Sequence, residues 1–353
     1  MKRPHLMVMA GGTGGHVFPA LAVAKELRNS GVDITWLGTK RGLESKVVPD
    51  NKFAIEWVTV EGLRGKGRLS LVLAPFKLFR AMWQSAKVIR RIKPDCILGM
   101  GGFVSGPGGL IARLMGRPLV IHEQNAVAGL TNYYLAKLAN RVLSGFPDVQ
   151  GLPKDTLWVG NPVRDDISTE HTNKSSKVNV LIIGGSQGAH SFNVKLPDVF
   201  AALDSDSVEI WHQSGKGRSR DVIERYQSHG VDAKVSEFVD DMAAAYAWAD
   251  LLVCRAGAMT VAECCAAAKP ALLIPYPFSA GDHQEKNAMV MVGAGAGKMV
   301  SNDKIGEQEF NHALEFLLRD KSALREMGQK AFSLHKPSSL DEVVAICQEY
   351  LNA

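Results

Sequence analysis

The stretch Val8-Met9-Ala10-Gly11-Gly12-Thr13-Gly14-Gly15-His16 has a partner further along the chain, Ile182-Ile183-Gly184-Gly185-Ser186-Gln187-Gly188-Ala189-His190. Each reads as an apolar strand, a Gly-Gly pair, a hydroxyl residue, small residues, a histidine and then a helix. The two lie about 173 residues apart, too far for the period of a solenoid repeat. They indicate two copies of one fold with a cleft between them.

Working outward from the first copy, short apolar runs alternate with helical patterns. Strands are expected at 6–10, 33–37, 55–60, 96–99, 119–122, 141–144 and 157–159, with helices at 18–30, 70–92 and 130–138. Strands that alternate with helices predict a parallel sheet covered on both faces. A polar stretch, 165–179, reads as a linker. The series then restarts with strands at 178–183, 208–212, 234–236, 251–254 and 271–274. At the end of the chain, Leu340, Val343, Val344, Cys347, Tyr350 and Leu351 fall at helical spacing over 339–351, and Ser339 with Glu342 has the spacing of a capping box. The expected division is a first Rossmann-like domain over 1–164, a second over 165–336, and a closing helix within 337–353 that packs back on the first.

The chain has 353 residues, 46% hydrophobic and 22% charged, as folded globular proteins do. No apolar run approaches the roughly 20 residues that span a bilayer, and the apolar stretch at 6–10 is too short for a signal peptide, so a cytoplasmic chain is expected. The cysteines Cys96, Cys254, Cys264, Cys265 and Cys347 form no CxxC pair and no Cys/His metal spacing, which fits a reducing compartment. The net charge of +5 hides an asymmetry: residues 1–165 hold 23 Lys/Arg against 11 Asp/Glu, whereas acids prevail in the remainder. The basic half should face something anionic.

Three glycine-rich turns, at 11–15, 99–109 and 184–188, follow strands. Glycine lets the backbone approach a ligand, and a helix start behind it offers N–H groups and partial positive charge to a phosphate. Each could equally be a tight turn without a ligand. The GxxxxGK[ST] phosphate loop is missing, since Gly215-Lys216-Gly217 has no following Ser or Thr. The dinucleotide fingerprint fails too: the third glycine is lacking after Gly12-Thr13-Gly14, and Leu37-Gly38-Thr39 brings no acid for a ribose. The acids Asp240-Asp241 precede an Ala-rich helix and need no metal to explain them.

Several residues admit two readings. Glu263, in Arg255-Ala256-Gly257-Ala258-Met259-Thr260-Val261-Ala262-Glu263, could accept hydrogen bonds from a ribose diol or form a capping box with Thr260. His16 could take a proton from a hydroxyl or only bond backbone or phosphate. His122-Glu123-Gln124-Asn125 follows a strand and reads as the lip of a site, or in part as residues that pair with one another. Between Glu61 and Asp95 stand nine Lys/Arg and no acid, and Val72, Phe76, Phe79 and Trp83 recur at helical spacing with Lys77, Arg80 and Lys87 close by. Such a helix either lies in a membrane interface or turns its apolar face to a core; no nucleic-acid-binding motif accompanies it.

Taken together, Gly11-Gly12-Thr13-Gly14-Gly15-His16-Val17-Phe18-Pro19-Ala20, Gly99-Met100-Gly101-Gly102-Phe103-Val104-Ser105-Gly106-Pro107, His122-Glu123-Gln124-Asn125, Gly160-Asn161-Pro162-Val163-Arg164 and Gly184-Gly185-Ser186-Gln187-Gly188-Ala189 resemble the MurG family, the lipid-linked N-acetylglucosaminyltransferases of bacterial peptidoglycan synthesis. The resemblance implies a GT-B fold, two Rossmann-like doubly wound parallel-sheet domains. It implies UDP-N-acetylglucosamine as donor, the undecaprenyl-diphosphate-linked muramoyl-pentapeptide (lipid I) as acceptor, and inversion to a β1,4 bond without metal or cofactor. It further implies a role in cell-wall biogenesis, shape and division from a peripheral position on the cytoplasmic side of the membrane. By position it assigns Thr13, Gly14, Gly15, Asn125, Arg164, Ser186, Val239, Ala258, Met259, Thr260, Val261, Ala262, Glu263 and Gln284 to the donor, Val239 through its backbone, and makes His16 the base. It assigns Val72, Lys77, Phe76, Phe79, Arg80 and Trp83 to docking on anionic phospholipid. Another GT-B enzyme, such as a glycolipid synthase or a UDP-sugar 2-epimerase, and a non-catalytic sugar-nucleotide scaffold are the competing expectations.

Overall fold

The computed structural model describes residues 3–60, 73–172, 175–185, 188–203 and 207–352. Two compact units are present: Met1–Pro162 together with Pro337–Ala353, and Val163–Lys336.

In the first unit the strands are β1 (His5–Ala10), β2 (Asp33–Gly38), β3 (Ala54–Trp57), β4 (Cys96–Gly101), β5 (Leu119–Glu123), β6 (Arg141–Ser144) and β7 (Leu157–Trp158). Between them run α1 (Gly14–Asn29), α2 (Glu44–Asp50), α3 (Ala74–Ile92), α4 (Ser105–Leu114) and α5 (Leu130–Leu135). The strands form one parallel sheet in the order β3-β2-β1-β4-β5-β6-β7. The second unit holds β8 (Val178–Ile183), α6 (His190–Ala201), β9 (Val208–Gln213), α7 (Ser219–Ser228), β10 (Ala233–Ser236), α8 (Met242–Trp248), β11 (Leu251–Cys254), α9 (Ala258–Ala266), β12 (Ala271–Leu273), α10 (His283–Gly293), β13 (Gly297–Met299), α11 (Gln308–Leu318) and α12 (Lys321–Phe332). Its parallel sheet runs β10-β9-β8-β11-β12-β13, with each strand repeating the step of its counterpart in the first sheet. This is the doubly wound order in which strand direction of travel reverses beside the first strand, and ligands gather outside the carboxyl ends at that reversal.

The order follows from burial. β4, β8 and β11 are buried at every position, as strands covered by helices on both faces must be. The closing helix α13 (Ser339–Leu351) belongs to the first unit: Val343, Val344, Cys347 and Leu351 enter the same core as Val17, Leu21, Ala24 and Leu98.

Several local expectations need correction. Ser339 is not a cap: its hydroxyl donates to the Asn161 carbonyl at 3.0 Å, and Glu342 instead receives the Ser338 hydroxyl at 2.6 Å. α1 starts four residues before Phe18, because the Thr13 carbonyl already accepts from the His16 and Val17 N–H groups. The glycines after β4 are not one phosphate turn. Gly108 and Gly109 lie inside α4, where an added Cβ would stand 2.5 Å from Met9 Sδ and 2.7 Å from Leu135 Cδ1, so they serve helix–sheet packing. The linker is also tied down: His171 meets the buried Asp250 carboxylate at 2.8 Å, and the Thr172 N–H reaches the Ala247 carbonyl at 3.0 Å.

Candidate active site

In the first unit the reversal of strand order falls between β1, which runs into Gly11, and β4, which ends at Gly101. Gly101 and Gly102 adopt φ of 103° and 87°. A Cβ on Gly101 would lie 2.9 Å from His16 Cε1 and Nδ1, so only glycine lets the imidazole lie this close. His16, in the first turn of α1, places Nδ1 2.7 Å from Gln124 Oε1.

Gln124 stands in a buried cluster just beyond β5. Its amide nitrogen is 3.0 Å from His122 Nδ1 and 3.0 Å from the His122 carbonyl, while His122 Nε2 is 2.9 Å from the Gly160 carbonyl. Burial pulls the His122 ring down to about 4, against the opposing pull of the Gly160 carbonyl and Glu123, so it is neutral near pH 7. Glu123 receives the Asn125 N–H and amide through one oxygen, and the Gly129 N–H and Asn132 amide through the other. The expectation of a four-residue lip is therefore corrected: His122, Glu123 and Gln124 are buried, and only Asn125 is partly exposed.

Thr13, Gly14 and Gly15 follow at the start of α1, with Thr13 exposed. One device here was not read from the sequence. Glu44, at the start of α2 and fully buried, accepts from the Gly12 N–H at 2.9 Å, the Thr39 N–H at 3.0 Å and the Thr39 hydroxyl at 2.7 Å. The Gly12 amide is thus already satisfied by a carboxylate of the chain itself. The available signal was an acid shortly after the second strand; it serves the loop and not a ribose.

In the second unit the assigned residues also follow carboxyl ends of strands. Ser186, after β8, lies outside the described residues. Val239 lies between β10 and α8, whose N-cap Asp241 receives the Ala244 N–H at 2.9 Å. Ala258, Met259, Thr260, Val261, Ala262 and Glu263 form the body of α9 behind β11. The N-cap of α9 is Gly257, with no side-chain cap bond, so the capping-box reading of Thr260 and Glu263 is set aside. Glu263 instead points one oxygen at the Tyr246 hydroxyl, 3.0 Å away, and the other at Arg164 Nη2, 3.4 Å away. Its side chain is only 15% exposed against 48% for Arg164. Burial raises the Glu263 carboxyl above its ordinary value, opposed by Arg164 and the Tyr246 hydroxyl. The Gln284 side-chain oxygen receives the Tyr276 N–H at 2.8 Å.

Arg255 braces this side of the second unit. Its guanidinium reaches the carbonyls of Ile274 and Pro275 and the side chains of Ser191 and Asn302, all at 2.9–3.2 Å, and lies 4.4 Å above the Phe192 ring. Burial lowers it to about 10, still charged near neutrality. It pins the end of β12 to the start of α6.

The aromatic residues of α3 do not face a core. Phe76, Phe79 and Trp83 are 73%, 71% and 60% exposed, while the helix buries Ala81, Ser85, Val88 and Ile89. Lys77 is partly exposed and Arg80 exposed; Val72 lies outside the described residues. Among the described residues no helix is long and apolar enough to cross a membrane.

Residues 6–144 match the glycosyltransferase family 28 N-terminal domain and residues 179–343 its C-terminal domain. The chain belongs to glycosyltransferase family 28. Within that family it is 46% identical, over 98% of both chains, to the UDP-N-acetylglucosamine--N-acetylmuramyl-(pentapeptide) pyrophosphoryl-undecaprenol N-acetylglucosamine transferase of Pseudomonas syringae pv. tomato. The crystal structure of Acinetobacter baumannii MurG superposes with a TM-score of 0.85 at 36% identity, covering 98% of this chain and 99% of that one. A calicheamicin glycosyltransferase, 17% identical, reaches a TM-score of 0.74 over 100% of this chain and 99% of its own, which speaks for the fold alone. The family 28 architecture is GT-B, and the two parallel sheets described above are its two Rossmann-like domains.

Proposed function

We propose that the chain transfers N-acetylglucosamine from UDP-N-acetylglucosamine to the muramoyl 4-hydroxyl of lipid I, with inversion, to form lipid II in peptidoglycan synthesis. The full-length identity to relatives of that name carries the reading. In a single displacement the acceptor oxygen bonds to the anomeric carbon as the bond to UDP breaks, and the hydroxyl proton passes to a base. His16 is that base. Thr13, Gly14, Gly15 and Asn125 are the first unit's donor contacts, and the first unit also takes the acceptor. The second unit holds most of the donor. Val239 meets the uracil through its backbone, Glu263 the ribose, and Ser186, Gln284 and the α9 residues 258–262 the diphosphate and sugar. Arg164 and the N-terminus of α9 offset charge on the departing UDP. These groups take the part that a metal ion plays elsewhere.

The same reading places the protein on the cytoplasmic face of the membrane. The bare Phe76, Phe79 and Trp83, with Lys77 and Arg80, suit an anionic phospholipid surface, because aromatic rings enter the interface while cations pair with headgroups.

Purified protein given UDP-N-acetylglucosamine and a short-chain lipid I analogue should release UDP and yield the disaccharide lipid. No transfer across a range of detergents, or epimerisation of the donor alone seen by proton NMR, would overturn the proposal. Arg164→Ala and Glu263→Ala should each raise the donor KM roughly tenfold, as loss of a charged hydrogen bond does. His16→Ala should lower kcat by about 10²–10⁴ with little change in donor KM.

A further inference from the structure

Two backbone carbonyls fix the direction of a chain of hydrogen bonds that ends at His16. A carbonyl can only accept. His122 Nε2 lies 2.9 Å from the Gly160 carbonyl, so Nε2 of this ring carries hydrogen. Because burial keeps the ring neutral, its Nδ1 is a bare acceptor. The Gln124 amide then has one orientation. Its NH₂ lies 3.0 Å from His122 Nδ1 and 3.0 Å from the His122 carbonyl; turned over, the amide would set oxygen against two acceptors. The Gln124 oxygen therefore faces His16, 2.7 Å from Nδ1. That oxygen cannot donate either, so His16 Nδ1 carries hydrogen and Nε2 of the neutral ring is left with its lone pair. The imidazole lies close over Gly101, where an added Cβ would stand 2.9 Å from its Nδ1 and Cε1.

We propose that Gln124 and His122 are positioning residues that hold His16 as the Nδ1–H tautomer and so make Nε2 the nitrogen that accepts the acceptor-hydroxyl proton. The effect on rate rests on His16 being the base; the tautomer itself does not. The network resembles in logic a base oriented by a third group, with a neutral amide in place of a carboxylate. A neutral partner fixes the proton without adding a negative charge beside the ring.

The test is long-range proton–nitrogen NMR of the full chain labelled with ¹⁵N-histidine, at a pH where the rings are neutral. His16 is assigned from the signals lost in His16→Gln. The parent should show His16 protonated on Nδ1 and His122 on Nε2. A His16 proton on Nε2 in the parent overturns the proposal whatever the activity. In Gln124→Met, which keeps the volume and removes the acceptor, the His16 signals should move to a mixture of tautomers. There kcat should fall about tenfold with donor KM within about twofold, as loss of orientation at a base does. A Gln124→Met variant whose His16 stays wholly in the Nδ1–H form also overturns it. The parent spectrum needs no variant to fold, and it separates this proposal from the base assignment. An Nδ1–H His16 whose replacement by alanine leaves the rate unchanged would sink the base and leave the tautomer standing.

Discussion

At the end of its first strand each unit turns through glycines toward a helix, yet the charges supplied beside the two turns differ. In the first unit the buried Glu44 carboxylate sits against the Gly12 N–H and the Thr39 backbone and hydroxyl. In the second, Gly188 packs so closely on the turn after β9 that an added Cβ would lie 2.2 Å from the Ser214 carbonyl oxygen. That turn, Ser214-Gly215-Lys216-Gly217-Arg218, offers cations and no acid. A glycine turn in front of a helix attracts an anion. One copy supplies an anion from its own sequence; the other has two cations and no acid in the neighbouring turn. The two copies of the fold thus differ in the charge beside the turn, and the glycine pattern common to both does not reveal the difference.

The comparison can be tested at three depths. The largest effect should be shared by both units. His122 in the first and His212 in the second are buried, their rings pulled down to about 4 and about 3 by loss of solvent. Above pH 6.5 each is neutral, folded or unfolded, and its full stability is present. As the pH falls from 6.5 toward those values, the unfolded chain takes up protons that the folded sites refuse. Stability should therefore drop by on the order of 3 kcal/mol for His122 and about 5 kcal/mol for His212 over that window. Urea midpoints that coincide at pH 7.5 and pH 4.5 would show that the rings are not held neutral. Next, Glu44→Ala strips an acceptor from three donors and should destabilise the protein by about 2–3 kcal/mol. A melting temperature equal to the parent's would remove the carboxylate from its role in the first loop. The smallest effect is the sharpest. Inorganic phosphate should restore about 1 kcal/mol to Glu44→Ala while adding less to the parent, since a bound anion stabilises only the form with a vacant seat. Equal stabilisation of both by phosphate would mean that the first loop was never an anion seat.

Much of the scaffold could be read from the chain. The run at 178–183, apolar but for Asn179, and the all-apolar run at 251–254 are β8 and β11 to the residue, and the apolar spacing over 339–351 is α13. What escaped was short or long-range. β13 has three residues, too few for a pattern, and α2 carries Pro49 within its seven. Long-range partners also displaced local rules. Ser339 and Glu342 have capping spacing, but the Asn161 carbonyl claims the Ser339 hydroxyl. Thr260 and Glu263 have it too, but Tyr246 and Arg164 claim the Glu263 carboxylate. In the candidate site, sequence marked out the polar run at 122–125 without distinguishing a lip from an interior. Spacing carries no information about which side of a strand end closes over. Glu44 carries no local sign of its role, because its partners at Gly12 and Thr39 are brought to it by the fold.

The second unit is spliced into the first, between Pro162 and Pro337. The side chains of Val343, Val344 and Leu351 that seal α1 and β4 are therefore made about 190 residues after the rest of their core. At ordinary rates of translation that is a delay of roughly ten to forty seconds. Until then the first unit lacks the side chains that cover this seam, and the insert, complete at Lys336, has its whole sequence before the first unit does. The part of the protein begun first is the last to have its core supplied in full.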